Sequence, residues 1–128
     1  DATEQFVSLA RLTIPDLCKL VSAFQIGGPL RDRAGYNVRI GSHHAPPGGP
    51  DVVRELEQLL KEIHAGELTP FRAHCRYETL HPFMDGNGRS GRAIWAWQMF
   101  RLGHLGMLKL GFLHAFYYQT LQGDRNET

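Results

Sequence analysis

A helical period of apolar residues, cut into segments by glycine and proline, is the feature that most constrains this chain. From Asp51 to His64, the residues Val52, Val53, Leu56, Leu59, Leu60 and Ile63 follow the i, i+3, i+4, i+7 rule, and Gly66 stops the run. Leu17, Leu20, Val21 and Phe24 repeat the same spacing, which predicts a helix from about Ile14 to Phe24. Thr13 with Asp16 resembles a capping box there, Pro15 suits an early helical position, and Gly27, Gly28 and Pro29 end the segment. A shorter helix fits Pro70 to Leu80, with Thr69 as N-cap and Phe71, Cys75 and Tyr77 as its buried side. Ala93, Ile94, Trp97, Met99, Phe100 and Leu102 mark another, beginning near Arg89 or Ser90 and closing at Gly103, and a last one is expected over roughly Phe112 to Gln122.

From Leu30 to Pro50 this period disappears. Tyr36, Val38 and Ile40 alternate with polar neighbours, the pattern of a short strand or small hairpin. Gly41 with Ser42-His43-His44 suggests a turn, and Pro46-Pro47-Gly48-Gly49-Pro50 forbids further regular structure. The expectation is a mainly α fold with one small β element, a single domain over the 128 residues with a core at about 14–121.

Charge and composition remove several classes of function. Fourteen basic and thirteen acidic residues leave a formal charge of +1, so no nucleic-acid footprint is expected. Every long apolar run is broken well short of the roughly 20 residues a membrane span needs. No charged n-region leads into an apolar stretch, so no secretory leader is expected. Cys18 and Cys75 both fall in helical patterns and form no disulfide framework, which points to the reducing cytoplasm. The first residue is Asp1 rather than Met, so the chain reads as processed, trimmed or a fragment of a longer one.

One loop carries the chemistry. Between the helix expected to end at Leu80 and the one expected to follow lies HPFMDGNGRSGR, residues 81–92. Gly86-Asn87-Gly88 can adopt backbone angles closed to other residues and turn its N–H groups toward one point. Those groups meet the positive end of the next helix, a ready anion site. Arg89 and Arg92 stand three apart, so two guanidiniums approach from one face. Asp85 would be out of place in such a polyphosphate receptor unless a cation such as Mg²⁺ accompanies the anion. His81, with an ordinary pKa near 6.5, is largely neutral at pH 7 and able to accept a proton from an attacking hydroxyl. Taken singly, a histidine before proline, an arginine pair and a Gly-Asn-Gly turn are ordinary surface features. Their joint appearance within twelve residues is not. A metalloprotein reading of the seven histidines is weaker, because neither His43-His44 nor His74-Cys75 has a recognised ligand spacing.

The loop resembles the signature of the Fic domain family, H-P-F-x-(D or E)-G-N-G-R-x-x-R, and fills every defined position. VRIGSHHAPP and DVVRELEQLLKEI resemble the family's flap and the helix after it, while Tyr117, Tyr118 and Leu121 resemble a helix that holds the nucleotide base in some members. The resemblance implies a Fic-type helical bundle with a β-hairpin flap, transferring AMP from ATP to a Ser, Thr or Tyr hydroxyl of a target protein. By the same resemblance His81 is the base, Phe83 a buried structural anchor, and Asp85 the holder of Mg²⁺. Gly86, Asn87 and Gly88 line the anion nest, and Arg89 and Arg92 bind phosphates. Val38, Arg39, Ile40 and Gly41 form the target-docking strand. Gly88, where kinase-like members carry lysine, implies the AMP-transferring orientation. UTP, GTP or CDP-choline would satisfy the same phosphate receptor, and a non-catalytic nucleotide-binding domain that recruits a partner is the reading from another class. The family's inhibitory pattern ends in Glu followed by Gly or Asn, and none of the glutamates from Glu4 to Glu127 is so followed. A separate antitoxin-like inhibitory chain, an inhibitor outside this stretch, or the lack of such control all fit. The expected compartment is the cytoplasm, or a host cell's cytoplasm if the chain is a secreted effector.

Overall fold

A computed structural model of the chain describes residues 1–24 and 28–102. Five helices and a two-stranded sheet follow one another among them: α1 (Ala2–Val7), α2 (Ile14–Ser22), β1 (Arg39–Ile40), β2 (His43–His44), α3 (Pro50–His64), α4 (Pro70–Leu80) and α5 (Asn87–Arg101). The described part is mainly helical with one small hairpin, the class that the apolar period predicts.

The local signals act as expected at most helix ends. The Thr13 side chain accepts from the Asp16 N–H while Asp16 returns a bond to the Thr13 N–H, a complete capping box for α2. Thr69 caps α4 through the Arg72 N–H, and Pro70 occupies its first turn. α3 begins at Pro50 behind Gly49 and buries Val52, Leu56, Leu59, Leu60 and Ile63 along one stripe. α1 went unforeseen, being six residues long with few apolar positions, yet it buries Phe6 and Val7. With Leu12 they extend the core ahead of Ile14.

α4 corrects the expected burial. Phe71 is 64% exposed and Cys75 is exposed, whereas Ala73, Tyr77 and Leu80 face inward. The inward stripe is set by the packing of α4 between α3 and α5, one position set away from the aromatic at its first turn. α5 lies at the centre of the helical layer against α4, α1 and α2, and buries Ala93, Ile94, Ala96 and Trp97. Such all-round packing explains why α5 shows no clean polar face in the sequence.

His64, at the end of α3, joins this core to the N-terminal segment. Leu12 donates its N–H to His64 Nε2 at 3.0 Å, so the ring proton sits on Nδ1 and the ring is neutral. The imidazole stands edge-on to Trp97 with centroids 5.5 Å apart, and Trp97 Nε1 donates to the Leu9 carbonyl at 2.8 Å. Burial, and then the charge of Arg11, hold the His64 pKa below its ordinary value. Below about pH 6.5 the unfolded chain therefore takes up protons that the folded chain refuses. Stability from His64 is complete above that pH and is lost as pH falls from there toward the lower folded value. A melting curve measured from pH 7 to pH 5 should fall by a few degrees, and His64→Gln should flatten part of that fall. His81, shifted the same way, leaves a residual slope.

Candidate active site

The loop begins where α4 ends. His81 takes a left-handed conformation, φ 50° and ψ 64°, the only non-glycine residue with positive φ among those described. Such a residue stores roughly 1–3 kcal/mol of strain and persists where its surroundings enforce it. Its N–H bonds the Tyr77 carbonyl at 2.9 Å, which closes the helix. The side chain is held as firmly, with Nδ1 lying 2.9 Å from the Glu78 carbonyl. A carbonyl only accepts, so Nδ1 carries the proton and Nε2 carries the lone pair. Burial pushes the His81 pKa down, the Glu78 bond pushes back, and the charges of Arg31 and His43 lower it further. The half-buried ring is therefore a neutral base at pH 7 with one defined basic nitrogen.

The next residues are fixed from both sides. Phe83 bridges Leu30 as an isolated antiparallel pair, flanked by Arg31 N–H to the Pro82 carbonyl at 2.8 Å and Met84 N–H to the Pro29 carbonyl at 2.9 Å. The backbones come so close that a Cβ built at Gly28 would lie 2.4 Å from the Asp85 nitrogen. Phe83 itself is buried in the core. The Asn87 side chain reaches back to it twice: Oδ1 accepts the Phe83 N–H at 2.9 Å, and Nδ2 donates to the Phe83 carbonyl at 2.7 Å. The amide of Asn87 thus clamps the turn, and what it can offer an anion is its backbone N–H.

Gly86 is the N-cap of α5, left-handed at φ 87°, and supplies no side chain to cap the helix. The first N–H groups of α5, which no carbonyl of its own can satisfy, open toward the turn. α5 starts at Asn87, two or three residues earlier than its apolar pattern predicts, so Gly88 and Arg89 stand in its first turn. Gly86 is tied to the core by a short relay. Ser90 Oγ donates to the Gly86 carbonyl at 2.8 Å, and buried Tyr77 donates its phenol proton to Ser90 Oγ at 2.6 Å. Burial raises the Tyr77 pKa, so it stays a neutral donor.

The two arginines differ in setting. Arg92 is 4% exposed, within the body of α5, whereas Arg89 is exposed with its guanidinium 5.3 Å from the Phe24 ring centroid. Asp85 is exposed, and its Oδ1 accepts the Gly86 N–H at 2.8 Å. Among the described residues there is no cluster of three or more His, Cys, Asp or Glu able to hold a metal. Mg²⁺ needs no such cage, since one carboxylate shared with substrate phosphates and water suffices, and Asp85 at the rim fits that arrangement.

The hairpin is shorter than expected. β1 holds only Arg39 and Ile40, paired antiparallel with His44 and His43, and Val38 precedes it. Gly41, at φ 59°, takes the first place of the two-residue turn, the II′ position that suits glycine. His43 and His44 thus form the return strand instead of a turn. His43 Nε2 lies 3.1 Å from the Thr79 carbonyl, which brings the hairpin against the end of α4. Sequence reasoning placed this residue in a turn with no part in the site, and it passed over Arg31, whose guanidinium bonds the His81 carbonyl at 2.6 Å. No periodicity surrounds Arg31, and its partners lie up to fifty residues away, so no local signal announces it. Tyr117, Tyr118 and Leu121, the expected base pocket, lie outside the described residues.

The family model of the Fic/DOC family matches residues 11–99, and the chain belongs to that family. Relatives named "Protein adenylyltransferase Fic" from Drosophila persimilis and Drosophila melanogaster are each 33% identical over 85 residues, covering 61% of this chain and 16% of the relative. The protein of the same name from Drosophila virilis is also 33% identical over 85 residues, covering 61% of this chain and 17% of its own length. The chain thus spans about one sixth of the curated relatives it matches. No solved structure matches it. Among the described residues no helix is long and apolar enough to cross a membrane.

Proposed function

We propose that this chain is a single catalytic domain that transfers AMP from ATP to a hydroxyl of another protein. The observation that carries the reading is the His81 ring, whose Nδ1–H is occupied by the Glu78 carbonyl and whose lone pair falls on Nε2. This base stands six residues ahead of a helix N-terminus built to receive an anion. The names of the relatives support the same reaction.

The hydroxyl oxygen of a target Ser, Thr or Tyr attacks the α-phosphorus of ATP. His81 Nε2 takes the hydroxyl proton as the new P–O bond forms, and the bond to the β-phosphate oxygen breaks to release pyrophosphate. The backbone N–H groups from Gly86 to Gly88 hold phosphate oxygens. Arg89 and Arg92 neutralise charge that develops on them, Arg92 nearest the γ end. Asp85 would hold Mg²⁺, which would supply Lewis-acid polarisation of the phosphates. The free edge of β1, Arg39 and Ile40 with Val38 and Gly41 beside them, aligns the target segment by main-chain bonds. The free thiols Cys18 and Cys75 fit the cytoplasm as the place of action.

The test is incubation of the protein with Mg²⁺, a cell lysate and ATP labelled in turn at the α and γ positions. Label from the α position enters lysate proteins if the reading holds. Transfer of γ label alone would sink it in favour of a kinase, and labelled UTP, GTP or CDP-choline outcompeting ATP would replace the donor.

A further inference from the structure

Arg31 takes no part in the loop chemistry, yet its side chain is completely buried. A guanidinium does not give up its charge at neutral pH, and enclosing it without strong partners is costly. Its partners are all carbonyl oxygens. Nε donates to His81 at 2.6 Å and Nη2 to Leu80 at 2.8 Å, while Nη1 donates to Tyr36 at 3.0 Å and Pro46 at 2.7 Å. The backbone is engaged as well, through its N–H to the Pro82 carbonyl and its carbonyl to the Gly49 N–H.

These acceptors fall into two groups with separate duties. Leu80 and His81 are the last carbonyl of α4 and the left-handed residue that follows it. Tyr36 and Pro46 are the two limbs of the hairpin, one ahead of β1 and one behind β2. One planar fork therefore ties the residue bearing the base to both limbs of the segment that faces the target. Five donors in fixed directions make this arrangement possible, and a lysine ammonium cannot reproduce it.

We propose that Arg31 is a positioning residue for His81, holding the left-handed backbone from which the imidazole projects and locking the hairpin's limbs to that same backbone. Its kinetic consequence rests on the adenylyl-transfer reading, but its effect on the His81 ring does not. Besides Arg31, His43 from β2 and the Glu78 carbonyl from α4 act on that ring. Removing the Arg31 cation takes away one of the influences that disfavour the imidazolium.

The test compares Arg31→Met and Arg31→Lys with the unaltered protein by NMR titration of the His81 ring and by label transfer from α-labelled ATP. In Arg31→Met the His81 midpoint should rise by a few tenths of a pH unit or more. Label transfer at saturating ATP should fall about tenfold to a hundredfold, with the ATP concentration for half-maximal rate within about threefold. A folded Arg31→Met protein whose His81 midpoint does not move overturns the proposal. Should that variant not fold, Arg31→Lys decides: it keeps the cation, so the midpoint stays near its original value while saturated transfer drops by about tenfold. Undiminished transfer in Arg31→Lys also overturns the proposal. Absence of transfer in the unaltered protein would defeat the adenylyl-transfer reading, and the titration would still decide the role of Arg31.

Discussion

With His81 replaced by alanine, transfer of AMP falls by about 10²–10⁴-fold, the range that a positioned general base contributes. ATP affinity should stay within about threefold, because on the proposed reading the phosphates sit on the turn and the start of α5, downstream of the imidazole. His81→Asn is the sharper variant. Asparagine tolerates the left-handed backbone found at this position, so the turn keeps its shape while the base is lost. Equal losses in both variants at unchanged ATP binding assign the defect to proton transfer. In the unaltered protein the rate should climb as pH rises through a midpoint below the ordinary imidazole value, since burial first, and Arg31 and His43 after it, disfavour the charged ring. Wild-type rates in either variant would remove His81 from the chemistry.

The second large effect is expected at Asn87, in stability as well as binding. Its amide satisfies both the N–H and the carbonyl of buried Phe83. Alanine there leaves one donor and one acceptor enclosed without partners, each costing about 1–3 kcal/mol. A loss of roughly 3 kcal/mol in denaturant unfolding is expected, together with a fall in ATP affinity of tenfold or more as the turn loses its shape. Asn87→Asp separates the two bonds: the acceptor for the Phe83 N–H remains, and a carboxylate oxygen is set against the Phe83 carbonyl. It should therefore be less stable than the unaltered protein although nearly the same size. If Asn87→Ala melts and binds ATP as the unaltered protein does, the clamp is not what shapes the turn.

How much of this was legible in the sequence differs from element to element. α3 declares itself because its stripe is long and regular, and α2 because Thr13, Pro15 and Asp16 supply a complete start signal. α1 is too short for its period to show, and α5 too fully enclosed for one polar face to stand out. In α4 the conspicuous aromatic, Phe71, misled, because tertiary packing chose the stripe through Ala73, Tyr77 and Leu80. The candidate site was readable as residue types, since base, carboxylate, glycines and arginines lie in one continuous stretch. Its support was not. The Arg31 fork and the Tyr77–Ser90 relay depend on where the chain returns in space, and the Asn87 clamp depends on the shape of the turn between Phe83 and α5. The hairpin was recognised, yet its register was missed, because Gly41 at a positive φ makes a tight two-residue turn and sends His43 and His44 back as a strand.

The contact at Gly28 bears on how such a domain can diversify. Even a methyl group there would overlap the main chain at Met84 and Asp85, 2.4–2.9 Å away. Glycine is thus fixed at position 28, where one stretch of main chain runs directly against the turn. More freedom lies in exposed side chains of the hairpin such as Arg39, Ser42 and His44, whose exchange leaves the Arg31 bonds to the Tyr36 and Pro46 carbonyls in place. On the adenylyl-transfer reading, such exchanges would alter which target segment is held while the Arg31 anchor to the His81 backbone stays in place.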